Sequence, residues 1–287
     1  MFTPLYRRLI VLLICLFSPF SLANYSIEKI NGDLYRFVDD RHRSVFLVND
    51  DGILLADPLN HDAATWLKAE LKKRFDKPIK YVVYSHNHGD HIYGSEVFDD
   101  PGTVFVSHVL TKQDIIETRT KVVVPELTFK NQLNLSLGDS EVQLRYHGPN
   151  DGRGSISMLF AQEKTLFVVD WVIVGRMPWR KLWSYDIRGM INSTREVLKL
   201  DFDTFVGGHA DTGTKADVAH YLGYIEALQA AVVDGIHEGK TVTDMKESIR
   251  LDEYKDLRNY EAWLPLNIEG VYERLVEESG MGWRPDL

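Results

Sequence analysis

The chain has 287 residues, 33 Lys and Arg against 42 Asp and Glu, a formal charge of −9 and 44% hydrophobic residues. Charged residues at 26% with 10 prolines exclude a disordered or low-complexity chain, and the acidic balance argues against a nucleic-acid partner, which would need clustered Lys and Arg. A single cysteine makes no internal disulfide and no thiolate metal site, so any bound metal must rest on histidine and carboxylate.

Residues 1–23 (MFTPLYRRLIVLLICLFSPFSLA) begin with the basic pair Arg7 and Arg8, continue through an apolar run from Leu9 to Phe20, and end with the small residues Ser21 and Ala23. That order predicts a cleaved export signal and a secreted or periplasmic protein. The alternative is an uncleaved anchor, but the run is shorter than the roughly 20 residues a spanning helix needs, so no stable membrane anchor is expected after cleavage. Residues 24–287 would then form one catalytic domain with a helical C-terminal tail. Cys15 leaves with the signal, and losing Arg7 and Arg8 moves the charge from −9 to −11.

From residue 33 short apolar runs alternate with turns. DLYRFVD, RSVFLVN and GILLADP predict an antiparallel meander, with Asn49-Asp50-Asp51-Gly52 as a turn. Residues 61–76 place Ala64, Leu67, Leu71 and Phe75 at helical spacing. KPIKYVVYS reads as a buried strand, and TVFVS as a strand entering a helix at His108. ELTFK, LNLSL and EVQLRYH predict a second meander, followed by the strands SISMLF and KTLFVVD. REVLKLD is expected as helix, DTFVGGH as strand, 214–238 as a long helix, and most of the remainder as helical. Strands in two clusters, each followed by helix, predict an α/β fold of two packed sheets with helices outside.

The chemistry concentrates in Ser85-His86-Asn87-His88-Gly89-Asp90-His91. Alternate residues of an extended segment share a face, so His86 and His88 can approach one cation together. Gly89 lets the backbone turn, so Asp90 and His91 present a second pair in another direction, as a two-metal hydrolase requires. Four ligand-type residues at this spacing are not explained by a surface histidine cluster.

This H-x-H-x-D-H loop resembles the signature of the metallo-β-lactamase fold superfamily. Three other segments resemble that family in the same order: LLADP ending near Asp57, LFVVD ending in Asp170, and FVGGH ending in His209. The resemblance implies an αββα four-layer sandwich of two packed mixed β-sheets. It also implies a binuclear metal site of His86, His88, Asp90, His91, Asp170 and His209. Asp170 would bridge the ions, and Asp57 and Asp90 would take part in catalysis. For Asp57 an ordinary turn before Pro58 is an equal reading.

One position departs from the family. Where its G-P-x-H-type turn carries a histidine, Gly148-Pro149-Asn150-Asp151 places Asp151, with His147 four residues earlier. Asp151 can complete a two-histidine, one-carboxylate set; it can be too short, leaving a weak or empty first site; or a rebuilt turn can bring in His147. As a ligand Asp151 would neutralise a centre of two divalent ions and one hydroxide, where a histidine leaves +1. Zinc (one or two ions) is the expected cofactor, and the added oxygen ligand also suits manganese or iron.

The expected reaction is attack of a metal-bound hydroxide on a carbonyl ester, lactone or amide in a small-molecule substrate. A true β-lactam-hydrolysing enzyme and a catalytically weakened metal- or ligand-binding periplasmic protein are the alternatives. No Ser-His or Cys-His nucleophile, dinucleotide fingerprint or P-loop competes with this reading. Trp171, Trp179, Trp183 and Tyr185 can wall an apolar pocket, with Arg176, Arg180 or Lys181 available to an anionic group. His108 and His220 read as helix-surface residues, and His42, His61 and His237 carry no signal.

Overall fold

The computed structural model describes residues 25–279; the export signal read from residues 1–23 lies outside them. The first sheet contains β1 (Tyr25–Asn31), β2 (Leu34–Asp39), β3 (His42–Asn49), β4 (Gly52–Ala56), β5 (Ile79–Val83), β6 (Val104–His108) and β7 (Leu127–Phe129), in that order. β1 to β4 are antiparallel, as their two-residue turns permit, whereas β4 to β7 are parallel. Parallel neighbours need crossovers, and α1 (His61–Arg74) and α3 (Val109–Thr118) supply two of them. Asn60 caps α1 by accepting from the Ala63 N–H at 3.0 Å. Between them lies the single helical turn α2 (Gly89–Ile92).

The second sheet contains β8 (Gln132–Leu137), β9 (Ser140–Tyr146), β10 (Ile156–Phe160), β11 (Thr165–Val168), β12 (Thr204–Gly207) and β13 (Thr212–Thr214), ordered β13-β12-β11-β10-β9-β8. β11 and β12 are parallel and joined through α4 (Ile187–Val197). The chain then runs through α5 (Lys215–His237), α6 (Val242–Ser248) and α7 (Tyr260–Ser279). Among the described residues no helix is long and apolar enough to cross a membrane.

Three apolar layers hold the four structural ones. Leu54, Val83 and Val106 meet Leu144, Met158 and Phe167 between the sheets. Phe46, Leu55 and Val82 turn outward onto Leu67 and Leu71 of α1. On the other side Leu166 and Phe205 pack against Ile191, Tyr221 and Ile268 of α4, α5 and α7. Central strands are covered on both faces, so β4, β10 and β11 are buried throughout. Each fully buried Leu or Phe contributes about 1.5–3 kcal/mol, which accounts for the continuous apolar runs in the sequence. The two mixed sheets with flanking helices are the expected αββα sandwich.

Several local expectations are corrected. ELTFK does not open the second meander: its strand β7 pairs in parallel with β6 and closes the first sheet. The edge strands β1 and β13 escaped the sequence reading, being short or half-exposed. Helix α4 begins at Ile187, well before REVLKLD, because Asp186 caps it by accepting from the Gly189 N–H at 2.8 Å. His108 is not on a helix surface. Its ring stacks on Tyr146 at 4.0 Å, its Nε2 donates to the Lys130 carbonyl at 2.8 Å, and its Nδ1 accepts from the Leu110 N–H.

Candidate metal centre

β4 and β5 run parallel, as do β11 and β12, and all four release their chain toward one edge of the sandwich. Past those ends lie Asp57, the loop from Ser85 to His91, Asp170 and His209. Sites at the carboxyl ends of parallel strands are a general property of such sheets. Asp151 joins them from the turn after β9, where Gly152 at φ +80° reverses the chain. Gly208 is required for the approach of β12: a Cβ there would stand 2.5 Å from Val169 Cγ1 and 3.0 Å from His91 Cε1.

Asp170 divides its two oxygens between two histidine pairs. Oδ2 lies 3.2 Å from both His86 Nε2 and His88 Nδ1. Oδ1 lies 3.1 Å from His209 Nε2 and 3.6 Å from His91 Nε2. Asp151 Oδ2 is 3.8 Å from His88 Nδ1 on the first side. Asp90 Oδ2 is 3.7 Å from His91 Nε2 and 3.8 Å from His209 Nε2 on the second. Ligand-type atoms of His86, His88, Asp151 and Asp170 lie within 4.8 Å of one another, as do those of His91, Asp170 and His209.

The electrostatics agree with a place for cations. His86 Nε2, Asp151 Oδ1 and Asp170 Oδ1 are buried without a hydrogen-bond partner, an arrangement that costs stability unless something else satisfies them. Burial, then the negative charge of Asp170, pushes the Asp151 carboxyl well above the usual range. Burial would raise Asp170 too, but His91, His209, His86 and His88 outweigh it and hold it well below. For His88 burial pulls downward, yet Asp170, Asp151 and Asp90 hold the ring up at about 9. The His91 ring is also held at about 9, Asp170 and Asp57 overcoming its burial. A cation would supply the positive charge that Asp151 and Asp170 face and the partner that His86 Nε2, Asp151 Oδ1 and Asp170 Oδ1 lack, so the residues fit a metal ion.

Surrounding groups set which histidine nitrogen faces inward. The Arg41 carbonyl accepts from His209 Nδ1 at 2.9 Å, so the lone pair of that ring is on Nε2, the atom facing Asp170. Ser85 Oγ gives its proton to Asp57 Oδ2 at 2.6 Å and therefore accepts from His86 Nδ1 at 2.8 Å, again leaving Nε2 free.

All the residues picked out from the resemblance are thus brought together, with one changed role. Asp57 does not reach the cavity. It is fully buried beneath the ligand loop, accepts from both the N–H and hydroxyl of Ser85, and lies 3.6 Å from His91 Nδ1. Burial raises its carboxyl to about 6. It is therefore placed to support the ligand loop and not to touch a molecule in the cavity. His147 is turned away and pairs with Ser157 Oγ at 2.8 Å, which removes it as the substitute ligand. His42 was missed: its Nε2 lies 3.3 Å from Asp90 Oδ2. No local pattern marks it, since it opens an ordinary strand.

The cluster forms the floor of a cavity of about 430 Å³ whose walls include Ile173, Arg176, Trp179, Trp183 and Tyr185. Trp171, expected in that wall, is instead fully buried in the core. Lys181 is engaged by Glu269 and Glu273 of α7 and does not face the cavity. The loop is fastened to α7 by Asn267, whose Nδ2 donates to the carbonyls of Pro178 at 3.3 Å and Arg180 at 2.5 Å.

The family profile described as the Metallo-beta-lactamase superfamily matches residues 38–209, more than half of the chain. The chain belongs to that superfamily. Among characterised relatives, the 2,4-dinitroanisole O-demethylase subunit alpha of Nocardioides sp. (strain JS1661) is 24% identical over 88% of this chain and 72% of that one. Metallo-beta-lactamase type 2 of Elizabethkingia meningoseptica is 25% identical over 49% of this chain and 59% of that one. The stereoselective inverting sec-alkylsulfatase Pisa1 from Pseudomonas sp. shares the fold with a TM-score of 0.76 at 16% identity, over 91% of this chain and 52% of that chain. A metallo-beta-lactamase from Pontibacter korlensis does so with a TM-score of 0.64 at 17% identity, covering 71% and 99%.

Proposed function

We propose that the protein is an exported, metal-dependent hydrolase that holds two divalent ions, zinc in the first instance, and cleaves an ester, lactone or amide of a small molecule. The observation that carries this reading is Asp170, whose two carboxylate oxygens each face a different pair of histidines. His86, His88 and Asp151 would hold one ion, Asp90, His91 and His209 the other, with Asp170 shared. When bound, such ions supply Lewis acidity and lower the pKa of water.

The chain's own groups have distinct parts in that reaction. Asp90 is half-exposed at the cavity. Burial would raise its carboxyl, but His42, His91 and His209 hold it well below the usual range. As an ionised acceptor it orients water toward the substrate. Trp179 and Trp183 are among the few large apolar side chains left exposed, and both line the cavity, where they receive an apolar body. Among the described residues Arg176, beside them, has no carboxylate partner and a buried Nε without a hydrogen bond, so it is available to an anionic group on the substrate.

The O-demethylase relative and the alkylsulfatase fold neighbour widen the substrates worth testing to aryl ethers and sulfate esters. The export signal at residues 1–23 supports a periplasmic or secreted location. The test is metal analysis of the purified protein, followed by chromogenic ester, lactone, β-lactam, sulfate-ester and aryl-ether substrates with zinc, manganese and iron. Metal retention with chelator-sensitive turnover of one class is expected. A protein that takes up no metal and shows no metal-dependent thermal shift would sink the reading.

A further inference from the structure

We propose that His42 is an additional metal ligand, giving the second ion a fifth protein donor beside Asp90, His91, His209 and Asp170. This rests on the binuclear reading above, and it assigns a role to the first residue of β3, a strand that supplies none of the other ligands.

The geometry begins with a hairpin. Asp39 pairs with His42 across the β2–β3 ladder, leaving Asp40 and Arg41 as its two-residue loop, with Asp40 at φ +48°. The tip is stitched to the segment that carries His209. The Arg43 N–H donates to the Gly208 carbonyl at 2.8 Å, and the Arg41 carbonyl accepts from His209 Nδ1 at 2.9 Å. His42 lies between those two anchors, so its backbone is held relative to His209 by bonds on either side. Its ring stands edge-on to His209 and His91, with centroids 5.0 and 5.9 Å apart.

The ring nitrogen is within reach of the same space as the other ligands. A ring nitrogen of His42, a carboxylate oxygen of Asp90 and a ring nitrogen of His209 lie within 4.8 Å of one another. An ion drawn to Asp90 Oδ2 and His209 Nε2 therefore meets a third donor from β3. Five donors, three of them imidazoles, favour an ion that accepts more than tetrahedral coordination.

The experiment compares wild type, His42→Ala and His42→Gln, loaded with zinc and, separately, with cobalt(II). Chelator competition gives the affinity of each site, and the cobalt absorption spectrum reports coordination number independently of any turnover. Both variants are expected to keep the first ion, lose about 100-fold in affinity for the second, and show stronger, more tetrahedral cobalt absorption. If wild type holds two ions and either both variants match it or Gln alone restores it, His42 is only a hydrogen-bond donor to Asp90 and the proposal is overturned. A wild type that binds no ion overturns the binuclear reading itself, and the ligand role with it.

Discussion

Asp57 accepts two hydrogen bonds from a single residue, Ser85: one from its backbone N–H at 2.7 Å and one from its hydroxyl at 2.6 Å. The hydroxyl then faces His86 Nδ1, so a buried carboxylate that does not line the cavity orients His86 without touching it. Ser85→Ala removes the middle of this relay and leaves Asp57 Oδ2 and His86 Nδ1 without that partner. The expected result is a 10–100-fold loss of affinity at the first site and about 1–3 kcal/mol of lost stability. Chelator competition and urea unfolding measure the two. Unchanged metal affinity would dispose of the relay.

Asp151 is the position where this chain departs from its family, and its carboxylate lies beside His88 and Asp170. Asp151→Ala is expected to remove one ion of two, read by elemental analysis. Asp151→His is expected to keep two ions and shift preference from manganese or iron toward zinc, since imidazole replaces an oxygen donor. Identical stoichiometry and preference in both variants would remove Asp151 from the ligand set.

The metal-free protein has its own pH dependence. His88 and His91 are held at about 9, above the ordinary 6.5, because neighbouring carboxylates outweigh burial. A raised histidine stabilises the fold fully below its unfolded value and loses that contribution as pH climbs to the folded one. The melting temperature of chelated protein should therefore fall by several degrees between about pH 6.5 and 9. Metal-loaded protein should not, because the ion replaces the protons, so the gap between the two widens with pH. A gap that stays constant across that window would contradict the assignment.

Arg176 lies with its guanidinium 5.3 Å from the Trp263 ring centroid and 5.9 Å from that of Trp179, on the cavity wall. Burial lowers its pKa, which marks a desolvated cation. Arg176→Met is expected to raise KM roughly tenfold or more for the anionic member of a substrate pair, with kcat and the neutral member little changed. Equal effects on both members would show that the arginine supports the loop and not the substrate.

Helix α7 reaches the cavity through its contact with the Trp179–Trp183 loop. A Cβ on Gly270 would stand 2.1 Å from the Lys181 carbonyl oxygen, a backbone atom with no room to yield. Gly270→Ala should cost about 1–3 kcal/mol by overpacking and weaken binding of apolar substrates, while metal content stays at wild-type level. Thermal melts and metal analysis separate these effects, and a drop in metal content would place the helix in the ligand scaffold instead.

What could be read along the chain were features whose physics is local. A strand buried on both faces is an apolar run, a ligand loop has its own spacing, and strands such as KTLFVVD and DTFVGGH end in the residue they deliver. From these came the two packed sheets and the ligand spacing of His86, His88, Asp90 and His91, whereas Asp170 and His209 were marked only by the resemblance of their segments, and of their order, to the metallo-β-lactamase fold superfamily. Tertiary structure alone decided the rest. It moved β7 into the first sheet and buried His108 against Tyr146. It set Asp57 behind the loop, chose Arg176 over Lys181 for the cavity wall, and brought His42 to Asp90. Those outcomes depend on which distant backbone groups pair. A one-residue change of partner turns a side chain from the cavity to the core, and no local pattern of residue types encodes that choice.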